Sequence, residues 1–172
     1  MGTSAVLLLI DALKDDRADV RSGAAVGLGI VGDARGVLPL SEALKDQEGD
    51  VRKNAARALG EIRDAQAVLH LVQALNNEHW SVRCEAAQAL GNIGDPGAVT
   101  ALSGVLKDSD SDVRRNAAQA LNKLGDARAL LLLEDEGERS QKAGRDVVGR
   151  PEVSEEVLWT LLKGLLKYIA RG

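Results

Sequence analysis

The apolar positions of this chain recur at fixed intervals and predict paired helices. Valine and leucine occupy positions 6, 9 and 13, and the same set returns three more times, each 31 residues further on. Spacings of three and four place these residues on one face of a helix. A second stripe follows in each unit, at Val51, Ala55, Leu59 and Ile62 in the second. Each unit is therefore predicted to be a helical hairpin.

Glycine and aspartate mark the turns between hairpins. Gly32, Gly94 and Gly125 each precede an aspartate, so a left-handed residue ends one helix and a carboxylate caps the next. Arg63 takes the glycine position in the second unit, which predicts a strained or differently built turn. Another glycine recurs late in the second helices, at positions 29, 60 and 91. Because glycine inside a helix costs about 1 kcal/mol relative to alanine, this recurrence predicts a closely passing neighbouring helix.

A hairpin of this length cannot bury its apolar face alone, so the units are predicted to stack. The pattern D-V-R-x-x-A-A-x-A-L-G-x-I-G-D, followed by a Val/Leu/Leu helix, resembles the HEAT-like repeat of the phycobilisome-lyase type over roughly residues 3–133. The predicted fold class is all-α, an α-solenoid of stacked antiparallel helix pairs with a C-terminal capping helix. The array occupies residues 1–133 as about four and a half repeats.

The period breaks after Leu133. Residues 134–153 are polar and contain glycine, which predicts a linker or loop. Residues 154–172 restart an amphipathic helix, with Ser154 as its N-cap. This helix either caps the last repeat of its own chain or exchanges between two chains as a homodimer. The monomer is the favoured interpretation.

Composition narrows the classes of function. The chain is 45% hydrophobic but only 2% aromatic, and its formal charge is −4. An acidic balance argues against a general binder of nucleic acid or anionic membranes. The single cysteine, Cys84, excludes an intramolecular disulfide framework, and no segment has the features of a signal peptide or the length of a membrane span. The predicted location is therefore cytoplasmic.

An arginine recurs in the first turn of every second helix, at positions 21, 52, 83 and 114. A cation there opposes the helix dipole by about 0.3–1 kcal/mol, whereas a charge-assisted hydrogen bond contributes about 1.5–3 kcal/mol. Each arginine is therefore expected to bind an aspartate of its own or an adjacent unit, and the family resemblance implies such a ladder. The candidate acids are the capping group, Asp19, Asp50 and Asp112, and the turn group, Asp33, Asp64, Asp95 and Asp126. The predicted ladder consists of Arg21, Arg52, Arg83 and Arg114 with the turn group.

A polar stripe remains on the second helices once buried and ladder positions are removed. In the first unit it holds Ser22, Gly23, Val26 and Ile30. The resemblance implies that this stripe lines a concave groove. Its weak positive excess suits a polypeptide with some acidic groups, whereas it is too weakly basic and too poor in aromatics for DNA or RNA. The candidate contacts are Lys53, Asn54, Arg57, Glu61, Glu85, Gln88, Asn92, Arg115, Asn116, Gln119 and Lys123.

Trp80 joins these candidates for a different reason. The equivalent positions hold the small residues Ala18, Gly49 and Ser111, so the repeat does not require an indole there. Tryptophan is enriched among interface anchors, but a tryptophan in a turn also packs over a neighbouring helix. Both interpretations stay open.

Catalytic and metal-binding patterns are weak. His70, His79 and Cys84 match no closed zinc spacing, and no phosphate-binding glycine loop or serine elbow occurs. Deoxyhypusine hydroxylase, an enzyme of this repeat superfamily, uses several His-Glu pairs for iron, whereas Glu78 and His79 form one pair in reversed order. No catalytic residue, metal or cofactor is predicted.

These observations predict a non-catalytic adaptor or scaffold that binds a protein or peptide on its concave face, with no nucleic-acid or membrane partner. The resemblance alone supports one alternative, a bilin lyase-like factor or pigment–protein chaperone. A repeat scaffold without a natural partner is the other alternative.

Overall fold

The computed structural model describes residues 2–126, and their side chains from residue 5 onward. Within this range the chain forms only helices and turns, without a strand. The helices, in chain order, are α1 (Gly2–Ala12), α2 (Ala18–Val31), α3 (Val37–Ala43), α4 (Gly49–Ile62), α5 (Val68–Ala74), α6 (Trp80–Ile93), α7 (Val99–Val105) and α8 (Ser111–Lys123). The predicted linker, the predicted C-terminal helix and the start of the fifth repeat lie outside the described residues.

Each odd-numbered helix packs against the even-numbered helix that follows it, as the hairpin pattern predicts. Leu40, Leu71 and Leu102 of the odd helices are fully buried, and so are Leu59 and Leu90 of the even helices. Both apolar stripes thus meet in one continuous core of small aliphatic side chains. The predicted all-α solenoid of stacked helix pairs is confirmed over residues 2–126.

The even helices stack directly on one another, and their glycines allow it. A Cβ atom built on Gly60 would lie 2.7 Å from the Cα atom of Ala89. Equivalent atoms on Gly29 and Gly91 would lie 2.9 Å and 2.8 Å from the Cα atoms of the facing alanines. Real Cβ atoms do not approach backbone this closely, so the predicted close passage of a neighbouring helix is confirmed.

The odd helices, by contrast, are separated by clefts. A cleft of about 130 Å³ lies between α3 and α5, and one of about 350 Å³ lies between α5 and α7. Within residues 2–126, the odd helices make far fewer contacts with each other than the even helices do. The even helices α2, α4, α6 and α8 therefore form the more tightly packed side of the stack, and we call the surface that they present the inner face.

A short 3-10 turn leads into each of α3, α5 and α7. The carboxylates of Asp33, Asp64 and Asp95 accept the backbone amide two residues later, at 3.0 Å, 2.8 Å and 2.7 Å, so the predicted capping role is confirmed. Arg63 adopts φ +59°, in the same left-handed region as Gly94 at +79°, and its amide donates to Leu59 as Gly94 donates to Leu90. The turn at Arg63 is therefore built like the others, with a side chain where they have none.

Candidate functional site

The recurring arginines link consecutive hairpins through paired hydrogen bonds. Arg21 donates from Nε and Nη2 to the two carboxylate oxygens of Asp46, at 2.7 Å and 2.8 Å. Arg83 binds Asp108 with the same geometry and distances. The third guanidinium nitrogen of Arg83 donates to the carbonyls of Asn77 and Glu78, in the turn before its own helix. Each guanidinium therefore closes its own hairpin and binds the next.

The acids of this ladder are not the predicted ones. Asp46 and Asp108 lie in the turns between odd and even helices, where the even helices and their arginines begin. The turn group lies at the opposite end of each hairpin, and the carboxylates of Asp33, Asp64 and Asp95 cap the 3-10 turns. The side chains of the capping group bind neighbouring cations on the surface instead. The observed pairs there are Arg17 with Asp19, Lys53 with Asp50, and Arg115 with Asp112. Asp126 lies at the end of the described range.

The second rung of the ladder differs from the first and third. Asn77 stands where the other units have Asp15, Asp46 and Asp108. Arg52 instead reaches the exposed carboxylate of Glu78, with 3.1 Å between Nη2 and Oε1. Its side chain is only 7% exposed, and its buried Nε has no hydrogen-bond partner.

The fourth arginine, Arg114, shares the contacts of the others to its own hairpin. Its Nη1 donates to the carbonyls of Asp108 and Ser109, at 2.9 Å and 3.2 Å. The second rung therefore differs from the first and third because residue 77 is an asparagine instead of an aspartate.

One row of exposed side chains runs along the inner face. Val26, Arg57, Gln88 and Gln119 occupy the same position on α2, α4, α6 and α8, and all four are exposed. We call these four residues the inner row. Because tightly stacked helices carry it, the row presents its side chains at a fixed spacing.

Several predicted contacts beside the inner row form hydrogen bonds across units. Asn54 donates to Ser22 Oγ at 2.7 Å, and Lys123 donates to Asn92 Oδ1 at 2.8 Å. Asn116 donates to the thiol of Cys84 at 3.0 Å. These bonds between units were not predicted from the sequence. The signal that could have revealed them is the pairing of donors and acceptors 31 or 32 residues apart.

The positive excess of the inner face is smaller than the sequence suggests. Arg57 donates to Glu85 Oε1 at 2.9 Å, so two predicted contacts form one ion pair. The ion pairs of Lys53 and Arg115 with aspartates of their own helices remove two further free cations. Glu61 is exposed near the end of α4. The inner face therefore offers paired charges and exposed amides.

Trp80 begins α6, and its side chain is 50% exposed. Trp80, Cys84 and Gln88 are spaced by four residues, which places them along one side of the helix. The indole therefore extends the inner face toward the start of α6. Its role as an anchor stays a prediction.

The surroundings of Cys84 disfavour the reactive thiolate form of its side chain. Burial, and secondarily the negative charges of Asp112 and Glu85, raise the pKa of the Cys84 thiol to about 11, so the thiol is protonated at neutral pH. Among residues 2–126, no group of three or more His, Cys, Asp and Glu side chains is placed to hold a metal ion. No helix in that range is long and apolar enough to cross a bilayer.

Comparisons with known proteins agree with this geometry. The model of a family described as HEAT repeats matches residues 6–77 and 68–143. A search of curated proteins gives no match.

The solved structures that are similar to this chain include the following three. Human deoxyhypusine hydroxylase in complex with glycerol is 31% identical, with a TM-score of 0.63 over 70% of this chain and 43% of its own. The complex of CpcE and CpcF of phycocyanin lyase from Nostoc sp. PCC7120 is 29% identical, with a TM-score of 0.64 over 71% and 53%. An engineered protein is 28% identical, with a TM-score of 0.60 over 89% and 74%. This chain spans less than two thirds of the length of the first two.

Proposed function

Because this chain belongs to the HEAT-repeat family, we propose that it is a non-catalytic adaptor that binds a polypeptide along its inner face. The observation that carries this proposal is the inner row, one exposed side chain from each even helix at the same position. The row is continuous across four units, and close Gly–Ala packing fixes its spacing.

The spacing of the inner row fits an extended peptide. Packed helices lie about 8–10 Å apart, and an extended chain advances about 3.3 Å per residue. Every third residue of a bound peptide therefore meets the next helix of the stack. Gln88 and Gln119 present exposed amides, which can donate to and accept from a peptide backbone.

The charges of the inner face favour a partner that carries single charged residues of either sign over a partner that is strongly acidic. Arg57 is half exposed and already binds Glu85. A partner carboxylate at Arg57 must compete with Glu85, whereas a partner cation can join Glu85 without breaking the pair. Selectivity therefore comes from charge placement along the row.

The similar phycocyanin lyase structure is a complex of two chains, CpcE and CpcF, which supports a protein as the kind of partner. The cytoplasmic location, the monomeric state and the role of the C-terminal helix remain parts of the proposal. Light scattering tests the oligomeric state, since exchange of that helix between chains makes the mass depend on concentration.

The binding proposal is tested by selecting peptides from a display library and measuring their affinity. The double variant Gln88→Lys, Gln119→Lys adds charge to the inner row without changing helix propensity. We expect its affinity for the selected peptides to fall about tenfold or more. The matched control, Gln66→Lys, adds the same charge outside the row and should bind like the wild type. Equal binding by all three proteins contradicts the proposal.

A pigment-transfer factor is the second candidate, because the lyase structure is similar over more than two thirds of this chain. This candidate rests on that likeness alone. A linear tetrapyrrole mixed with the protein tests it by absorbance. A shifted spectrum supports the pigment candidate, and an unshifted one at high protein concentration excludes it.

A further inference from the structure

The two clefts between odd helices occupy the same place in successive repeats but differ in chemistry. The α5–α7 cleft is lined by the apolar Val72 and Ala101, among others, and by the polar Asn76, Lys107 and Asp108. The α3–α5 cleft has the polar Ser41 and His70 at the positions of Val72 and Ala101. Its lining is Ser41, Leu44, Lys45, His70, Gln73, Ala74 and Asn77.

Two polar atoms of the α3–α5 cleft are buried without a protein partner. Ser41 is 1% exposed, and its Oγ atom makes no hydrogen bond. Nδ1 of His70, across the cleft, is also buried and unpaired. Ser103 occupies the position of Ser41 two repeats later, and its hydroxyl donates to the carbonyl of Val99 at 2.8 Å. A serine hydroxyl at this position can therefore donate a hydrogen bond to a carbonyl of its own helix, but the hydroxyl of Ser41 does not.

The carboxylate that the repeat places beside this kind of cleft is missing here. Asp108 lines the α5–α7 cleft and binds Arg83. Asn77 takes the corresponding place in the α3–α5 cleft. Its Oδ1 accepts the amide of His79 at 3.1 Å, which leaves its NH₂ group as a donor. The substitution removes a negative charge and adds a donor at the same point.

Lys45 brings a positive charge to the cleft, and the carbonyls at the end of α3 are occupied by backbone amides. Lys45 lines the cleft, and its contact with Glu42 is 3.6 Å long between two exposed side chains. Leu40, Glu42 and Ala43, at the end of α3, accept backbone amides of the following turn through their carbonyls. These carbonyls are already engaged in the turn.

We propose that the cleft between α3 and α5 binds a small oxyanion, a phosphate or carboxylate group, through Ser41, Lys45, His70 and Asn77. The hydroxyl, the ammonium, the imidazole N–H and the amide are all donors to such a group. The site also accounts for the loss of a ladder acid at position 77, because a carboxylate there would repel the ligand.

The two histidines of the chain provide the readout. Their Cε1 protons give two NMR signals, which a His79→Gln variant assigns. The protein is titrated with sodium phosphate, and separately with sodium acetate, at fixed pH and at an ionic strength held constant with sodium chloride. We expect the His70 signal to shift saturably with at least one anion, and the exposed His79 to serve as the internal reference. The anion that saturates at lower concentration identifies the ligand class.

Two variants then test the assignment. Asn77→Asp should weaken binding about tenfold or more, because it places a carboxylate beside the anion. Ser41→Ala should weaken binding without adding charge. Asn76→Asp, which places the same charge one residue away, should weaken binding less than Asn77→Asp does. A His70 signal that shifts with neither anion overturns the proposal, and so does an Asn77→Asp protein that binds as tightly as the wild type.

Discussion

At the scale of single residues, Arg63 stands in a left-handed turn where the other units have glycine, and this departure costs little free energy of folding. A Cβ atom added at Gly32, Gly94 or Gly125 would meet nothing within 4 Å, so space does not require glycine there. The left-handed backbone does, because a side chain in that conformation costs about 1–2 kcal/mol. Arg63 carries this strain in the second unit.

Replacing that arginine by glycine should therefore stabilise the protein. Arg63→Gly relieves the backbone strain, and the greater freedom of glycine in the unfolded chain offsets part of the gain. We expect the free energy of unfolding to rise by about 0.5–1 kcal/mol, measured by urea denaturation. Gly94→Arg is the reciprocal control and should lose a similar amount. A loss of stability in Arg63→Gly contradicts the assigned strain.

At the scale of helices, close packing on the inner face depends on glycine. Gly60→Ala should destabilise the protein by up to about 2 kcal/mol, because overpacking costs about 1–3 kcal/mol and helix propensity returns about 1 kcal/mol. Gly23→Ala is the matched control, since nothing lies within 4 Å of its added methyl group. It should be stabilising by up to about 1 kcal/mol. Stability changes of the same sign for both variants argue against the close α4–α6 contact.

The ladder between hairpins makes a prediction at the same scale. Asn77→Asp supplies Arg52 with the bidentate carboxylate that Arg21 and Arg83 already have, and it satisfies the buried Nε atom. We expect a gain of about 1–2 kcal/mol, which raises the melting temperature by several degrees. Asn76→Asp adds the same charge out of reach of Arg52 and serves as the control. Equal stability in both variants contradicts the ladder geometry.

This gain should depend on pH in a defined direction. Arg21 and Arg83 lower the pKa values of Asp46 and Asp108 below the ordinary value of 3.8 by hydrogen bonding to their carboxylates. A group with a lowered folded pKa stabilises above its unfolded pKa and loses that contribution as the pH falls through the folded value. The advantage of Asn77→Asp should therefore be present at neutral pH and disappear in the acid range below about pH 4.

The helices and their contacts differ in how far the sequence predicts them. Periodicity predicts the hairpins and the buried leucines, because burial acts on every repeat alike. The prediction of the ladder acids was wrong, because several aspartates recur in each unit. Only the antiparallel arrangement of the helices decides which of these aspartates reach an arginine. Pairs such as Asn54 with Ser22 were missed for the same reason. A contact between units depends on the relative positions of two helices, which the pattern of one unit does not contain.

At the scale of the whole molecule, packing divides the described array into two faces of different form. The even helices form a tight inner face with a regular row of side chains, whereas the odd helices open into clefts. The inner face suits a long partner, and the clefts between the odd helices suit a small ligand. One unit has Asn77 where the others have aspartate and Trp80 where the others have a small residue. It therefore differs from the repeat on both faces, and Asn77 leaves the ladder one carboxylate short.

The most direct test of the inner-face claim is site-specific photo-crosslinking to a selected peptide. A photoreactive amino acid replaces Arg57, Gln88 or Gln119 of the inner row, or Gln66 and Leu69, both exposed, on the odd-helix side. We predict crosslinks from the inner row only, at successive positions along the peptide in the order of the helices. Crosslinks of equal strength from Gln66 and Leu69, or inner-row crosslinks without that order, would contradict binding along the inner face.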